Sequence, residues 1–385
     1  MDRLNTISEW LFWISIGWIL MVTVGYPVMV FLLGLFVRRK SRGAEGGDYE
    51  PHVSLIISAY NEERVIKEKI ENSLQLNYPK DKLEIIVASD GSSDKTNDIV
   101  RSYINREVQL FSYDRIGKTG IQNETVKKAK GEVLVFSDAN AIYDKNAIKL
   151  LARHFDNDTI GCVCGQLTYT NNNSIHNPGE IYYWDYEKFL KERETKISSL
   201  IGVNGSIYAV RKKDYIELNT DLISDLVEPL EIVKTGKRVI YEHKAISREE
   251  ASLDIKEEFN RKVRILTRSI QGLFSVKELF NPLKHGIFSI QIIVHKLFRY
   301  LIPFFLITGL LSLVYLTEHQ FYYFMFCVLF LILAFSIVSK FSTNNTKFNT
   351  VFGLVIYYLI INYALIVAWF NVIKKRKITL WSTQR

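Results

Sequence analysis

The chain has 385 residues, 48% of them hydrophobic, and carries a net charge of +8. That length admits one large domain or two ordinary ones. Much of the positive excess sits in two clusters beside apolar blocks, and the middle shows no basic stripe with interleaved aromatics, so anionic lipid is the expected partner and nucleic acid is excluded.

The first apolar block runs from Trp10 to Val37, long enough for one crossing of a bilayer and too long for a signal-peptide core. Arg38, Arg39, Lys40 and Arg42 follow directly, so the N-terminus should face out and the middle of the chain in. From Val53 the pattern alternates. Apolar runs at Val53–Ser58, Leu83–Ala88, Val108–Ser112 and Val133–Phe136 read as strands. Asn61–Gln75, Asp94–Tyr103 and Thr119–Lys130 read as helices, the first capped by Asn61 with Glu62 and Glu63 in its opening turn. Such alternation predicts a parallel sheet with covering helices, whose ligands bind outside the carboxyl ends of the strands. Those ends run into Ala59-Tyr60-Asn61-Glu62, Ser89-Asp90-Gly91 and Ser137-Asp138-Ala139-Asn140, which brings Glu62, Asp90 and Asp138 toward one rim. Cys162 and Cys164 stand in a strand-like run with no second pair at zinc spacing, so a buried strand is expected there.

The apolar pattern returns near His285. His285–Tyr300, with Lys296 and Arg299, reads as an interfacial helix, and candidate spans follow at Leu301–Leu316, Phe321–Ser339 and Val351–Ile373. Three crossings after a cytoplasmic domain would leave Lys374, Lys375, Arg376 and Lys377 outside, against the positive-inside rule. A cytoplasmic C-terminus is preferred, with the number of spans open. The chain thus divides into residues 1–42 (apolar helix and basic flank), 43–284 (cytoplasmic domain), 285–373 (interfacial helix and membrane helices) and 374–385 (basic tail).

Neither G-x-x-x-x-G-K-[ST] nor a post-strand G-x-G-x-x-G occurs, so no glycine-rich loop is expected to cradle a phosphate. A carboxylate rim beside a diphosphate calls instead for Mg2+ or Mn2+.

Val53–Glu63 (VSLIISAYNEE), Ser89–Asp94 (SDGSSD), Gly117-Lys118 and Ser137–Asn140 (SDAN), in that order, resemble the family 2 glycosyltransferases. The resemblance covers roughly Val53 to Leu273 and extends loosely to the membrane layout of cellulose, chitin and hyaluronan synthases. It implies an α/β GT-A fold, a Rossmann-like nucleotide-sugar-binding domain, joined to an α-helical transmembrane region. It implies that Ala59, Tyr60, Glu62 and Asp90 contact uracil and ribose, that Lys118 lies near the nucleotide, and that Asp138 meets the metal and diphosphate. Asn140 stands where the family carries a second acid, which removes one carboxylate. Gly202–Arg211 resembles the acceptor-side segment, with Gly205 close to the acceptor, and Asp225 takes the place of the catalytic base, although Ser224 replaces the preceding acid. Arg261, Arg264 and Arg268 share a helix face opposite Val263, Leu266 and Ile270. That face is either a solvated basic surface or a clamp on the leaving diphosphate. Arg264 matches the arginine of the synthases' Q-x-x-R-W, while the Gln and Trp are missing. Trp184 either stacks on a sugar or lies in the core, and Asp225 has the plainer reading of a helix cap.

The expected activity is inverting, metal-dependent transfer of a hexosyl or N-acetylhexosaminyl unit from a UDP-sugar to a growing extracellular, capsular or cell-wall polysaccharide, in a bacterial-type inner or plasma membrane. The alternatives are single-sugar transfer to a polyprenyl-linked lipid, and a membrane scaffold with a degenerate transferase domain. So few spans point to self-association or an export partner.

Overall fold

A computed structural model describes residues 2–37, 49–170, 178–250, 255–339 and 347–376. The basic residues at 38–42 and Lys377 lie outside them. The strands are β1 (Val53–Ala59), β2 (Leu83–Asp90), β3 (Val108–Tyr113), β4 (Val133–Asp138), β5 (Ile142–Tyr143), β6 (Ile160–Tyr169), β7 (Tyr208–Arg211) and β8 (Arg238–Glu249). They form one sheet in the order β3-β2-β1-β4-β7-β6-β8-β5. The first four strands pair in parallel, as the alternation predicts, and β7 enters antiparallel between β4 and β6.

Why these runs make buried strands is visible in their alternation. Val53, Leu55 and Ile57 join Ile85, Val87, Val133 and Val135 in one core, while Ile56, Ile86, Ala88, Leu134 and Phe136 join a second core on the other face. Successive side chains of a strand point to opposite faces, so a continuous apolar run fills two cores at once. Cys162 and Cys164 are buried in β6, as expected of a strand.

The elements differ from expectation at one helix start. The first helix covers Ile66–Leu74, not Asn61–Gln75, and its N-cap is Val65. Asn61 adopts a left-handed φ of 51° and accepts a hydrogen bond from the Ser93 N–H at 2.8 Å. It therefore links two strand-end loops rather than capping a helix, a role an Asn side chain fills at a turn as readily as at a cap.

Three helices among the described residues are long and apolar enough to cross a membrane: Arg3–Phe36, Ile287–Glu318 and Gly353–Ile373. One expectation changes here. The segment read as a separate interfacial helix over His285–Tyr300 is continuous with the span that follows it. Phe321–Ser339 lies in the 20-residue apolar helix Gln320–Ser339, as expected.

The apolar helices are tied to the sheet domain by a polar node on the helix Pro178–Ile197. Glu194 accepts from the Tyr26 hydroxyl at 2.5 Å and pairs with His295 Nδ1 at 2.6 Å. Glu187 pairs with Arg299 at 2.5 Å. Buried charges hold only when paired, so these contacts fix how the first and second apolar helices meet the domain. Trp18 seals the same junction by donating its indole N–H to the Phe298 carbonyl at 3.2 Å.

Candidate active site

The ends of β1 and β2 build the first part of the rim. Ala59 packs its methyl into the core, so what it offers the rim is backbone. The buried Asp90 carboxylate accepts the N–H groups of Ile116 and Gly117 at 2.8 and 2.9 Å, and the Arg115 guanidinium at 2.6 Å. Gly117 has a φ of 85°, a left-handed conformation that glycine adopts without strain, and this aims its N–H at Asp90. Arg115 also lies 3.1 Å from the Tyr60 ring centroid. Tyr60 and Asp90 are thus brought together through an arginine the motifs did not reveal. Glu62 is buried nearby, its backbone N–H donating to Thr96 Oγ1 at 2.8 Å.

The second part of the rim gathers Lys118, Asp138, Gly205 and Asp225. Lys118 opens the helix Lys118–Lys128, and its ammonium donates to the Asp138 carboxylate and, at 3.3 Å, to the Gly205 carbonyl. Asp225 lies in the first turn of the helix Ser224–Lys234, whose N-cap residue is Ile223 with no side-chain cap bond. The plainer reading of Asp225 as a cap is therefore not what the geometry shows. A Cβ at residue 205 would lie 2.8 Å from Asp225 Oδ2 and 3.3 Å from Lys118 Nζ, so only glycine lets these groups approach.

The arginine face divides into two roles. On the helix Ile255–Ser275, Arg268 donates to the carbonyls of Thr220 and Asp221, each at 3.3 Å, and to that of Leu222, bracing the loop before Asp225. Arg264 makes no hydrogen bond or ion pair among the described residues and lies within the field of Asp138. Trp184 stands on the helix Pro178–Ile197, and its side chain lies outside the described residues.

Three further residues enter the site unannounced by any motif. Glu249, the last residue of β8, accepts from Asn140 Nδ2 at 3.2 Å and faces the Asp138 charge. Its place at a strand's carboxyl end was the available signal. Lys69 is fully buried, donates to the Ala141 carbonyl, and lies 3.7 Å from the Tyr143 ring centroid. A helical lysine reads as solvated, so no signal existed. Lys296, on the second apolar helix, lies within the field of Asp225.

Residues 54–218 match the model of the Glycosyl transferase family 2 family. Residues 54–218 are thus a family 2 glycosyltransferase domain. A probable glycosyltransferase, YdaM, of Bacillus subtilis is 35% identical over 134 residues, 31% of this chain and 30% of that protein. The poly-beta-1,6-N-acetyl-D-glucosamine synthase of Staphylococcus aureus is 27% identical over 202 residues, 49% of this chain and 48% of that protein. The aligned part of the chain thus spans about half or less of these relatives' length. The solved structure of mannosyltransferase PcManGT from Pyrobaculum calidifontis, in complex with GDP-Man and Mn2+, has a TM-score of 0.71 at 19% identity, covering 95% of this chain and 99% of that one. That likeness establishes a GT-A-like fold together with its apolar helices.

The electrostatics of this glycosyltransferase site follow from burial and crossed charges. Burial lifts the Asp225 carboxyl above the ordinary aspartate value against the pull of Lys118, and the Asp138 charge adds to the lift. Burial alone would lower Lys118, but the carboxylates of Asp138 and Asp225 outweigh it and raise it. Burial lowers Lys69 to about 7, although Asp138 and Glu249 oppose the shift. Burial and the Asp138 charge raise Glu249. Among the described residues no three His, Cys, Asp or Glu side chains converge as a metal cluster. Mg2+ and Mn2+ at nucleotide sites commonly take one or two carboxylates plus substrate phosphates, so oxygen donors at Asp138 and Glu249 fit such an ion.

Proposed function

We propose that the protein is an inverting glycosyltransferase that moves a hexosyl or N-acetylhexosaminyl unit from a UDP-sugar to a growing extracellular, capsular or cell-wall polysaccharide. In this reading the domain works at the cytoplasmic face of a bacterial-type inner or plasma membrane. The observation that carries the reading is the convergence of Asp138, Lys118 and Asp225 around Gly205. One side offers a cation-lined place for a diphosphate, and the other offers a carboxylate of raised proton affinity. The similarity over half the chain to a poly-beta-1,6-N-acetyl-D-glucosamine synthase supports a polysaccharide product and an N-acetylhexosaminyl donor.

In the chemistry proposed, the acceptor hydroxyl oxygen attacks the anomeric carbon and the bond from that carbon to the diphosphate oxygen breaks. Asp225 takes the hydroxyl proton, and the nucleoside diphosphate leaves with the electron pair. The leaving group is already anionic and needs positive charge rather than a proton, which Lys118 and Arg264 supply. Bound Mg2+ or Mn2+, held by Asp138, would add Lewis-acid stabilisation to that charge. Base and leaving group on opposite sides give inversion. Tyr60, Glu62 and Asp90 hold the nucleoside end in this reading, with Arg115 setting the position of Tyr60.

A second reading is favoured by one observation. Lys296 extends from an apolar helix into the field of Asp225 and makes no hydrogen bond or ion pair among the described residues. A cation there suits the phosphate of a lipid-linked acceptor entering from the bilayer, which points to single-sugar transfer.

The test is nucleoside diphosphate release by detergent-purified protein across a panel of UDP-sugars with Mn2+ or Mg2+, GDP-mannose included, followed by product sizing. Turnover of one UDP-sugar into long products supports the polysaccharide reading, and a single addition to extracted lipid supports the second. Turnover of GDP-mannose alone overturns the UDP assignment. Nucleotide binding without turnover of any donor or acceptor overturns both transfer readings in favour of a scaffold.

A further inference from the structure

Two features of the site stay unexplained by the residues the motifs supply. Asn140 has replaced an acid, which halves the protein's charge at the position next to the diphosphate. At the same place the structure brings in an acid from elsewhere in the chain. Pairing of β5 with β8 sets Ile142 opposite Arg248 and Tyr143 opposite Ser247, so the chain running back from Ile142 through Asn140 meets Glu249. The contact is made by Asn140 Nδ2 donating to Glu249 Oε2 at 3.2 Å.

The state of that carboxylate points to a missing ligand. Glu249 is 7% exposed, and its second oxygen, Oε1, has no hydrogen-bond partner among the described residues. The neighbouring Ser206 hydroxyl favours the charged carboxylate but makes no hydrogen bond of good geometry to it. A buried carboxylate oxygen left without a donor or cation costs roughly 1–3 kcal/mol or more, so it persists where something else completes it. Of the nearby cations, Lys118 is engaged on Asp138 and Lys69 on the Ala141 carbonyl, while the Arg261 charge acts on Glu249. A site that joins the carboxylates of Asp138 and Glu249 is a hard-oxygen donor set, the kind Mg2+ and Mn2+ select.

We propose that Glu249 is the second carboxylate of the divalent-cation site, standing in for the acid absent at Asn140, with the Asn140 amide holding it in place. The proposal rests on the metal-dependent reading above. It makes the D-x-N sequence of this chain a relocated ligand set rather than a degenerate one: the acid lost from the loop after β4 returns from the end of β8.

The test is Mn2+ binding to the full-length protein in detergent, measured by the electron paramagnetic resonance signal of free Mn2+, with and without UDP. Wild type should bind Mn2+. Glu249→Gln should weaken that binding at least tenfold, with thermal stability and metal-free UDP binding kept. Wild-type affinity in Glu249→Gln overturns the proposal while leaving metal dependence standing, provided Asp138→Asn abolishes binding. Absence of Mn2+ binding in wild type overturns both together. Glu249→Cys is a second, independent variant, because a thiolate ligand exchanges preference from Mn2+ to Cd2+. Cd2+ affinity should rise at least tenfold over wild type, and no rise in a folded Glu249→Cys protein also overturns the assignment.

Discussion

Asp225 stands between opposing influences, with burial and Asp138 lifting its carboxyl and Lys118, Arg268 and Lys296 pulling it down. The lift wins, and a base whose pKa approaches the working pH is a more effective proton acceptor than an ordinary aspartate. Asp225→Asn should lower kcat by about 10²–10⁴-fold while leaving UDP affinity within a few-fold, read by steady-state kinetics beside calorimetric titration. The acid limb of the kcat/KM profile should lie above the usual carboxylate range, activity appearing as pH rises through the raised value. One turn further along the same helix, Glu228 behaves differently. Burial raises it to about 8 even though the Tyr208 hydroxyl, donating to it at 3.1 Å, favours the charged form. An acid that keeps its proton when folded and loses it when unfolded destabilises the fold as pH climbs, from about 4.3, the unfolded value, to about 8. Glu228→Gln keeps the shape and removes the titration. Its thermal midpoint should therefore fall less than that of wild type between pH 6 and pH 9, a difference of roughly a few kcal/mol in stability at the alkaline end. Parallel midpoints across that range would show that Glu228 is already ionised.

At the scale of elements, the arginine helix shows what the pattern could and could not reveal. Its spacing correctly put Arg261, Arg264 and Arg268 on one face and Ile270 in the core. Spacing could not say that Arg268 turns back to grip the carbonyls of residues 220–222, because that loop arrives from a distant part of the chain. The same limit explains Glu249 and Lys69, which reach the rim through strand pairing and burial rather than through any local motif. The four parallel strands and their acidic ends were legible because continuous apolar runs and strand-end acids are local signals. The helix after β1 was misplaced because Asn61 bonds across to Ser93, a contact no local rule supplies. The division of the arginines is testable. Arg268→Lys cannot fork across three carbonyls and should lower kcat about 10–100-fold with little change in donor KM, since a displaced loop misaligns Asp225. Arg264→Lys should act mainly on diphosphate stabilisation, lowering kcat/KM for the donor without disturbing the 220–222 loop. Equal kcat and KM effects in the two variants would merge them into one clamp.

The side of the membrane on which the last apolar helix ends is decided by what it touches. Its end returns to the glycosyltransferase domain: the Gln271 amide donates to the Arg376 carbonyl at 3.0 Å, and Asn371 Nδ2 donates to Thr267 Oγ1 at 3.4 Å. Trp369 donates its indole N–H to the Tyr300 carbonyl at 2.8 Å, so the finish of this helix lies beside the domain-proximal part of Ile287–Glu318. The two helices then run in opposite directions, one leaving the domain and one coming back. Three crossings after the domain, by Ile287–Glu318, the 20-residue helix Gln320–Ser339 and Gly353–Ile373, would leave that end on the far side. Its contacts with the domain call for an even number of crossings, with Gln320–Ser339 the helix that does not cross. An even number of crossings removes the conflict with the positive-inside rule, because Lys374, Lys375 and Arg376 then lie on the same side as the domain. The expectation can be checked by impermeant maleimide labelling in a Cys327→Ser background, where the remaining cysteines, Cys162 and Cys164, are buried. Lys374→Cys should label only in inside-out vesicles. His319→Cys, at the exposed turn after the second long helix, should label only in right-side-out ones. Labelling of both positions from the same side would mean that Gln320–Ser339 and Gly353–Ile373 both cross or that neither does.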